Sequence, residues 1–320
     1  MKIFASFAFA STALALVTPA KLSHRASALP SPACTLNHAQ TASTQYVTIN
    51  NTTCLAYRHF GTPSTYPLLY LTHFRGSMDV TDPLLINLLA SNREIILVDN
   101  SGIGHSSGAV PPTIQEMGDT MAAFLSAIQV PRADVLGFSM GGMVAQYFAM
   151  QYPEKVHKLV LAAVRPGHGP DVVAVNPEDA NGPGGEATSQ PTKDYMLGIF
   201  FANSSSSRAK GDLWWDRIYE RDVAGEERKG FLVGEGVQRQ LDAIVSFASD
   251  PRLYARLDNI TMPVLVSNGK RDLLMGTQNS VVLQQRLRDA RLALFPDSGH
   301  GHLWQFPAEY AELVEAFLRG

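Results

Sequence analysis

The sequence predicts an α/β fold with a doubly wound, mostly parallel sheet and a helical cap inserted between two late strands. Apolar runs of strand length without polar alternation, helical periodicity between them, and one long break in that pattern after Val164 all point to it. Strands that read as continuous apolar runs are buried on both faces, as in a parallel sheet covered by helices. Strand and helix in alternation imply right-handed crossovers.

The first β-rich runs, Gln45 to Ile49 and Leu55 to Phe60, flank the polar cluster Asn50-Asn51-Thr52-Thr53 and read as a hairpin. Buried strands follow at Leu68 to Thr72, Glu94 to Asp99, Asp134 to Phe138, Lys158 to Val164 and Pro263 to Ser267. Helical spacing covers Leu84 to Ala90, Thr113 to Ile128, Met140 to Gln151, Asn279 to Leu287 and Ala308 to Leu318. Between Val164 and Pro263 the alternation stops. That stretch opens with Arg165-Pro166-Gly167-His168, passes through a loop at Asn181 to Gly185, and carries helical segments around Tyr195 to Phe201, Trp214 to Tyr219 and Val237 to Phe247. It reads as a cap over the carboxyl ends of the strands. The run Ser204 to Ser207 reads as a solvated loop, and there is no internal repeat. The organisation is then residues 29–164 and 261–320 as the core, with 165–260 as the cap.

At 320 residues and 45% apolar composition the chain can bury a full core, and a net charge of -3 with interspersed signs leaves no basic stripe for nucleic acid. Residues 1–20 carry Lys2 and then an apolar run to Val17, the pattern of a signal peptide cleaved after Ala20 or after Ala28. A spanning helix needs about 20 apolar residues, and Pro19, Lys21, His24 and Arg25 close this run too early. The competing reading is an uncleaved anchor, favoured by the weak charge of the leading residues. The expectation is secretion, without stable membrane insertion. Cys34 and Cys54, the only cysteines, are expected to be bridged on that route, which would contribute about 3 kcal/mol. Asn50, Asn51, Asn203 and Asn259 stand in glycosylation context, the first two as alternatives for one glycan.

Gly137-Phe138-Ser139-Met140-Gly141 fits G-x-S-x-G, with a buried strand before it and an amphipathic helix after it. The serine of such an elbow sits on a tight turn, and glycines two residues to either side remove the side chains that would collide. A serine hydroxyl needs a base to take its proton. Of nine histidines, His300 follows the strand Arg291 to Phe295 and precedes the last helix; His302 is its rival. His73, His105 and His168 stand at strand ends as possible lining. The acid that orients the imidazole is read as Asp272, directly after a strand; its bland alternative is a helix N-cap, and Asp171 is the fallback. The order Ser139, Asp272, His300 differs from the chymotrypsin and subtilisin orders.

With these residues in place the chain resembles the α/β-hydrolase superfamily, and more narrowly its capped esterase and cofactor-free haloperoxidase-like branch, from about Tyr46 to Leu318. The carriers are His73-Phe74-Arg75-Gly76, Asp99 to Ser106, the elbow, Asp272, and Gly299-His300 with Pro307 beyond. The resemblance implies an α/β-hydrolase fold with an oxyanion hole from the backbone N–H groups of Phe74 and Met140. The family usually has His-Gly where this chain has His73-Phe74, which leaves Phe74 and Arg75 both open. Asp99 and Gly104 look like a structural turn.

The expected reaction is acyl transfer from a small carboxylic ester or lactone to water, with no metal or organic cofactor. Met196, Leu197, Ile199, Phe200, Phe201, Trp214 and Trp215 supply either an apolar pocket or the cap's own core. Epoxide hydrolases and haloalkane dehalogenases of similar type use aspartate at the elbow, which Ser139 opposes. Prolyl aminopeptidase and perhydrolase activities use the same triad and stay open. From a different class, a catalytically silent ligand-binding protein would typically have lost a triad member.

Overall fold

The computed structural model describes residues 38–174 and 185–320. The signal-type run with both cleavage points, Cys34, and residues 181–184 of the expected loop lie outside the described residues.

A short helix α1 (His38–Thr41) leads into the hairpin of β1 (Gln45–Ile49) and β2 (Thr53–Gly61). Its turn places Asn50 and Asn51 at φ 50° and 59°, a left-handed conformation that asparagine tolerates better than most residues. There follow β3 (Leu68–Leu71), α2 (Pro83–Ala90), β4 (Glu94–Val98), α3 (Ile114–Ala127), β5 (Ala133–Phe138), α4 (Met140–Gln151) and β6 (Val156–Ala162). Local chemistry starts these helices. Asp82 caps α2 through the Leu84 N–H with Pro83 in the first turn, and Thr113 caps α3 through the Glu116 N–H.

The sheet runs in the order β1-β2-β4-β3-β5-β6-β7-β8, where β7 is Val264–Gly269 and β8 is Ala290–Phe295. Only the β1–β2 and β2–β4 pairs are antiparallel. Successive strand residues enter opposite cores: Leu69, Leu71, Val135 and Leu161 pack on one face, and Leu68, Tyr70, Leu136 and Val160 on the other. Burial on both faces is why these strands read as unbroken apolar runs. On the sequence side of β7, α9 (Thr277–Arg286) connects to β8, and α10 (His302–Gln305) and α11 (Pro307–Arg319) close the chain.

The insertion between β6 and β7 contains α5 (Lys193–Phe200), α6 (Ser205–Arg217), α7 (Glu235–Ser249) and α8 (Pro251–Ala255). One expectation is corrected here. The serine run is not a solvated loop: Ser204 caps α6 through the Ser207 N–H, the next three serines form its first turn, and Ser207 is fully buried. The Ser207 hydroxyl donates to Gln305 Oε1 at 2.6 Å, and both Ser204 and Ser206 donate to Asp297. Serine is a strong N-cap, and these partners come from the far end of the chain.

The last helix is tied to the sheet by charge as well as by apolar packing. Arg93 Nε and Nη2 contact both carboxylate oxygens of Glu315 at 2.5 and 3.1 Å, while Nη1 reaches Asp134 at 2.9 Å, all with side chains almost wholly buried. Removing the guanidinium strips Glu315 of its buried counter-charge and leaves Asp134 with His157 alone, at 2.8 Å. Arg93→Met is therefore expected to destabilise the fold by about 3–5 kcal/mol, read as a lower urea midpoint with unchanged circular dichroism at zero denaturant.

Candidate active site

Ser139 stands between β5 and α4 with φ 57° and ψ −122°, a conformation that costs a non-glycine residue about 1–3 kcal/mol. The surrounding contacts hold it there. Its N–H donates to the Ala162 carbonyl at 2.9 Å, and its carbonyl accepts from Gly142 N–H at 2.8 Å. A Cβ on Gly137 would fall 2.4 Å from the Gly141 oxygen, and one on Gly141 would fall 2.2 Å from the Leu71 oxygen. The glycines of the motif thus let α4 start against the end of β3, which brings the serine to the carboxyl edge of the sheet.

The structure brings Ser139, His300 and Asp272 together. His300 Nδ1 lies 3.0 Å from Asp272 Oδ2 and Nε2 lies 2.8 Å from Ser139 Oγ, with both His300 and Asp272 side chains fully buried. A carboxylate can only accept, so Nδ1 carries the proton and Nε2 offers its lone pair to the serine hydroxyl. Burial opposes ionisation of Asp272, but the imidazole of His300 and the Met275 N–H outweigh it and hold the carboxyl below its ordinary range. The capping role is also present: Asp272 Oδ1 accepts from the N–H groups of Leu274 and Met275 at 2.9 and 3.1 Å. One oxygen holds the loop while the other orients the histidine.

The loop after β3 carries Phe74 and Arg75, and hydrogen bonding separates them. The Arg75 N–H donates to Gln240 Oε1 at 2.8 Å, while no described group accepts from the N–H of Phe74 or of Met140. Met140 is the first residue of α4, where N–H groups lack intrahelical partners. Arg75 has a positive φ of 64° and is itself buried. Its guanidinium donates to the carbonyls of Leu232, Gly185, Glu186 and Ser189, and its own carbonyl accepts from the Leu232 N–H. The inserted segment therefore grips this loop from above.

A pocket of about 470 Å³ opens over Ser139 and His300. All the residues expected to line it or to fill the cap's core belong to or pack against one core cluster, and three of them also face the pocket. Met196, Ile199 and Phe200 line the pocket, whereas Leu197, Phe201, Trp214 and Trp215 serve the core cluster alone, where Trp214 stacks on Trp304 at 4.7 Å. The wall from α7, with Leu241, Ile244, Val245 and Ala248, was missed. Its signal was the apolar spacing on that helix. Arg165 and Gln240 gave no signal, because what they face is set by distant segments.

The other singled-out residues fall outside the relay. His302 Nε2 meets Ser267 Oγ at 3.0 Å and not Ser139, and burial drives its imidazole down to about 3. His73 lines the pocket; its Nδ1–H donates to the Phe74 carbonyl at 2.8 Å, and burial lowers it to about 4. His168 and Asp171 are exposed. Asp99 accepts the N–H groups of Met78 and His105 at 2.7 and 2.9 Å, and a Cβ on Gly104 would strike its carboxylate, so both serve the turn. Asp79, His105 and Glu226 group their ligand atoms within 4.8 Å. Arg58 and Arg221 already pair with those carboxylates, so the donor set does not fit a further cation. Cys54 is half-buried on β2 and has no disulfide among the described residues.

A family model described as alpha/beta hydrolase fold matches residues 66–307. The chain is 26% identical over 268 residues to a pimeloyl-(acyl-carrier protein) methyl ester esterase of Nitrosomonas europaea, covering 81% of this chain and 98% of that protein. Over 241 residues it is 27% identical to a 2-hydroxy-6-oxononadienedioate/2-hydroxy-6-oxononatrienedioate hydrolase of Cupriavidus pinatubonensis, covering 72% and 78% respectively. Among solved structures, an alpha/beta hydrolase fold protein from Chitinophaga pinensis superposes with a TM-score of 0.76 at 34% identity, over 88% of this chain and 98% of that one.

Burial of His302 makes a pH prediction. Its imidazole titrates near 6.5 when unfolded and near 3 when folded, so the unfolded chain takes up the proton more readily. The contribution to stability is full above pH 6.5 and is lost progressively as the pH falls below it. Urea unfolding of wild type and His302→Gln should give a stability difference that shrinks by about 2 kcal/mol between pH 7.5 and pH 5. A pH-independent difference would contradict it.

Proposed function

The chain belongs to the α/β-hydrolase fold family, and from that premise we propose that this hydrolase cleaves a carboxylic ester or lactone through an acyl-enzyme on Ser139. The observation that carries the reading is the unbroken relay from Asp272 Oδ2 through His300 to Ser139 Oγ, at 3.0 and 2.8 Å. A curated relative named as a methyl ester esterase supports the ester reading, and one named as a dienedioate hydrolase supports hydrolysis alone.

Ser139 Oγ attacks the carbonyl carbon as His300 Nε2 takes the hydroxyl proton. Asp272 keeps Nδ1 protonated and stabilises the imidazolium that forms. The tetrahedral oxyanion lies between the N–H groups of Phe74 and Met140, each donor worth about 3–4 kcal/mol in the transition state. His300 returns the proton to the leaving group, and a water activated by the same imidazole releases the acid. The insertion acts as a cap that shields these steps from bulk water and supplies apolar walls. Export belongs to the same proposal, along with a Cys34–Cys54 bridge and glycans; Asn50, Asn51, Asn203 and Asn259 are all exposed, as modification requires. No helix among the described residues is long and apolar enough to cross a membrane.

An organophosphonate should label the wild type once, on the peptide holding Gly137 to Gly141, and Ser139→Ala should abolish labelling and reduce ester hydrolysis by several orders of magnitude. Labelling that survives in Ser139→Ala would move the chemistry elsewhere. Asp272→Asn should retain the fold but lower kcat by about 10⁴, because the amide favours the wrong tautomer of His300. A nearly wild-type rate would remove Asp272 from the relay.

A further inference from the structure

One wall of the pocket carries a charge that the chemistry at Ser139 does not use. Arg165, just beyond β6, is 7% exposed and lines the same pocket as Ser139 and His300. Its neighbour in that pocket, Arg75, already donates from all three guanidinium nitrogens to four backbone carbonyls. Arg165 does not. Its Nε reaches only the Pro166 carbonyl at 3.3 Å and its Nη2 only the Ala248 carbonyl at 3.5 Å, both long contacts. Nη1 has no acceptor among the described residues, and no described carboxylate forms an ion pair with this guanidinium. Asp242 lines the pocket too, but it is exposed and takes a hydrogen bond from Gln238 at 2.9 Å. Burial lowers the affinity of Arg165 for its proton, with no charge among the described residues to offset it.

A buried guanidinium without a counter-charge is strongly unfavourable, and an apolar side chain would fill the same wall without that penalty. The charge makes sense when a ligand brings its partner. The pocket around it is apolar, with Met143, Ile244, Leu274 and Met275 among its walls. We propose that Arg165 receives a carboxylate at the far end of an apolar chain, so that the substrate is an ester with a distal free acid, placed with its carbonyl at Ser139. A guanidinium edge pairs bidentately with a carboxylate. With no second unpaired cation among the described lining residues, a phosphate dianion would be left half neutralised. This inference rests on the serine-hydrolase reading for its geometry.

The test compares kcat/KM for monoesters of straight-chain dicarboxylic acids of increasing length with that for their neutral methyl diesters. A second arm uses acetate esters of ω-hydroxy acids against their methyl esters, which moves the carboxylate to the alcohol side. The wild type should favour the free acid by at least about tenfold at one length in one arm, the scale of a charge-assisted hydrogen bond. Arg165→Gln should collapse that ratio toward one, and Arg165→Lys should retain part of it. The matching free diacid or ω-hydroxy acid should bind wild type in calorimetry and bind Arg165→Gln at least about tenfold more weakly. A wild type that cleaves neutral esters as well as acids at every length overturns the proposal, as does a ratio indifferent to Arg165→Gln. Should Arg165→Gln not fold, the wild-type ratio and Arg165→Lys decide. If no ester is cleaved and Ser139 is not labelled, the hydrolase mechanism fails by itself, and calorimetry still decides the carboxylate site.

Discussion

The backbone of Ser139 is the constraint on which the rest of the site depends. A left-handed residue between β5 and α4 is unfavourable in isolation, and it persists because β5 is paired on both sides, with β3 and with β6. The close approach of Gly141 to the Leu71 carbonyl sets where α4 begins. That start leaves the Met140 N–H without an acceptor among the described residues and directs Ser139 Oγ toward His300. On the other side of the relay a similar constraint operates: a Cβ on Gly269 would lie 2.1 Å from the Gly299 oxygen, and the Arg271 N–H donates to the Ser298 carbonyl at 2.9 Å. The end of β7 and the histidine loop therefore close on each other, which fixes Asp272 opposite His300.

The insertion is joined to the core by buried polar contacts as much as by apolar packing. Arg58 and Arg221 share Asp79 and Glu226, and His105 Nε2–H donates to Asp79 at 2.8 Å. Arg217 grips both oxygens of Asp82 at 2.9 and 2.7 Å. Such pairs add less net stability than their geometry suggests, but they reject alternative placements, since each misplacement strands a buried charge. Arg75 applies the same logic at the active loop. Its carbonyl and guanidinium meet the insertion while its N–H meets Gln240, so the segment over the pocket also positions the Phe74 N–H.

The relay and the pocket walls are both built from the protein's own packing. The relay is already within hydrogen-bonding distance, and the pocket already has its apolar walls. For the acyl transfer proposed above, such preorganisation means that little reorganisation is needed when charge develops on the carbonyl oxygen. The insertion brings α5 and α7 side chains to a pocket whose base comes from the strand ends. The Ser139–His300–Asp272 relay and much of the pocket wall thereby come from two different stretches of chain.

The amino-acid sequence by itself determined the α/β layering, the hairpin and the elbow, because these follow from short-range rules. Strands buried on both faces must be apolar throughout, and a strained turn demands glycine two residues to either side of Ser139. Asp272 and His300 were legible for a related reason, each standing in a short turn after a predicted strand. Tertiary structure alone decided what those rules do not reach. The N–H of Arg75 is occupied only because Gln240, far along the chain, lies against it. Trp214 faces Trp304 and not the pocket, and the serine run becomes a helical turn because Asp297 and Gln305 meet it there. Arg165 gives no sign in sequence of being buried without a counter-charge among the described residues. Local patterns specify which backbone a segment adopts, whereas the partner of a side chain depends on which distant segments the closed fold brings beside it.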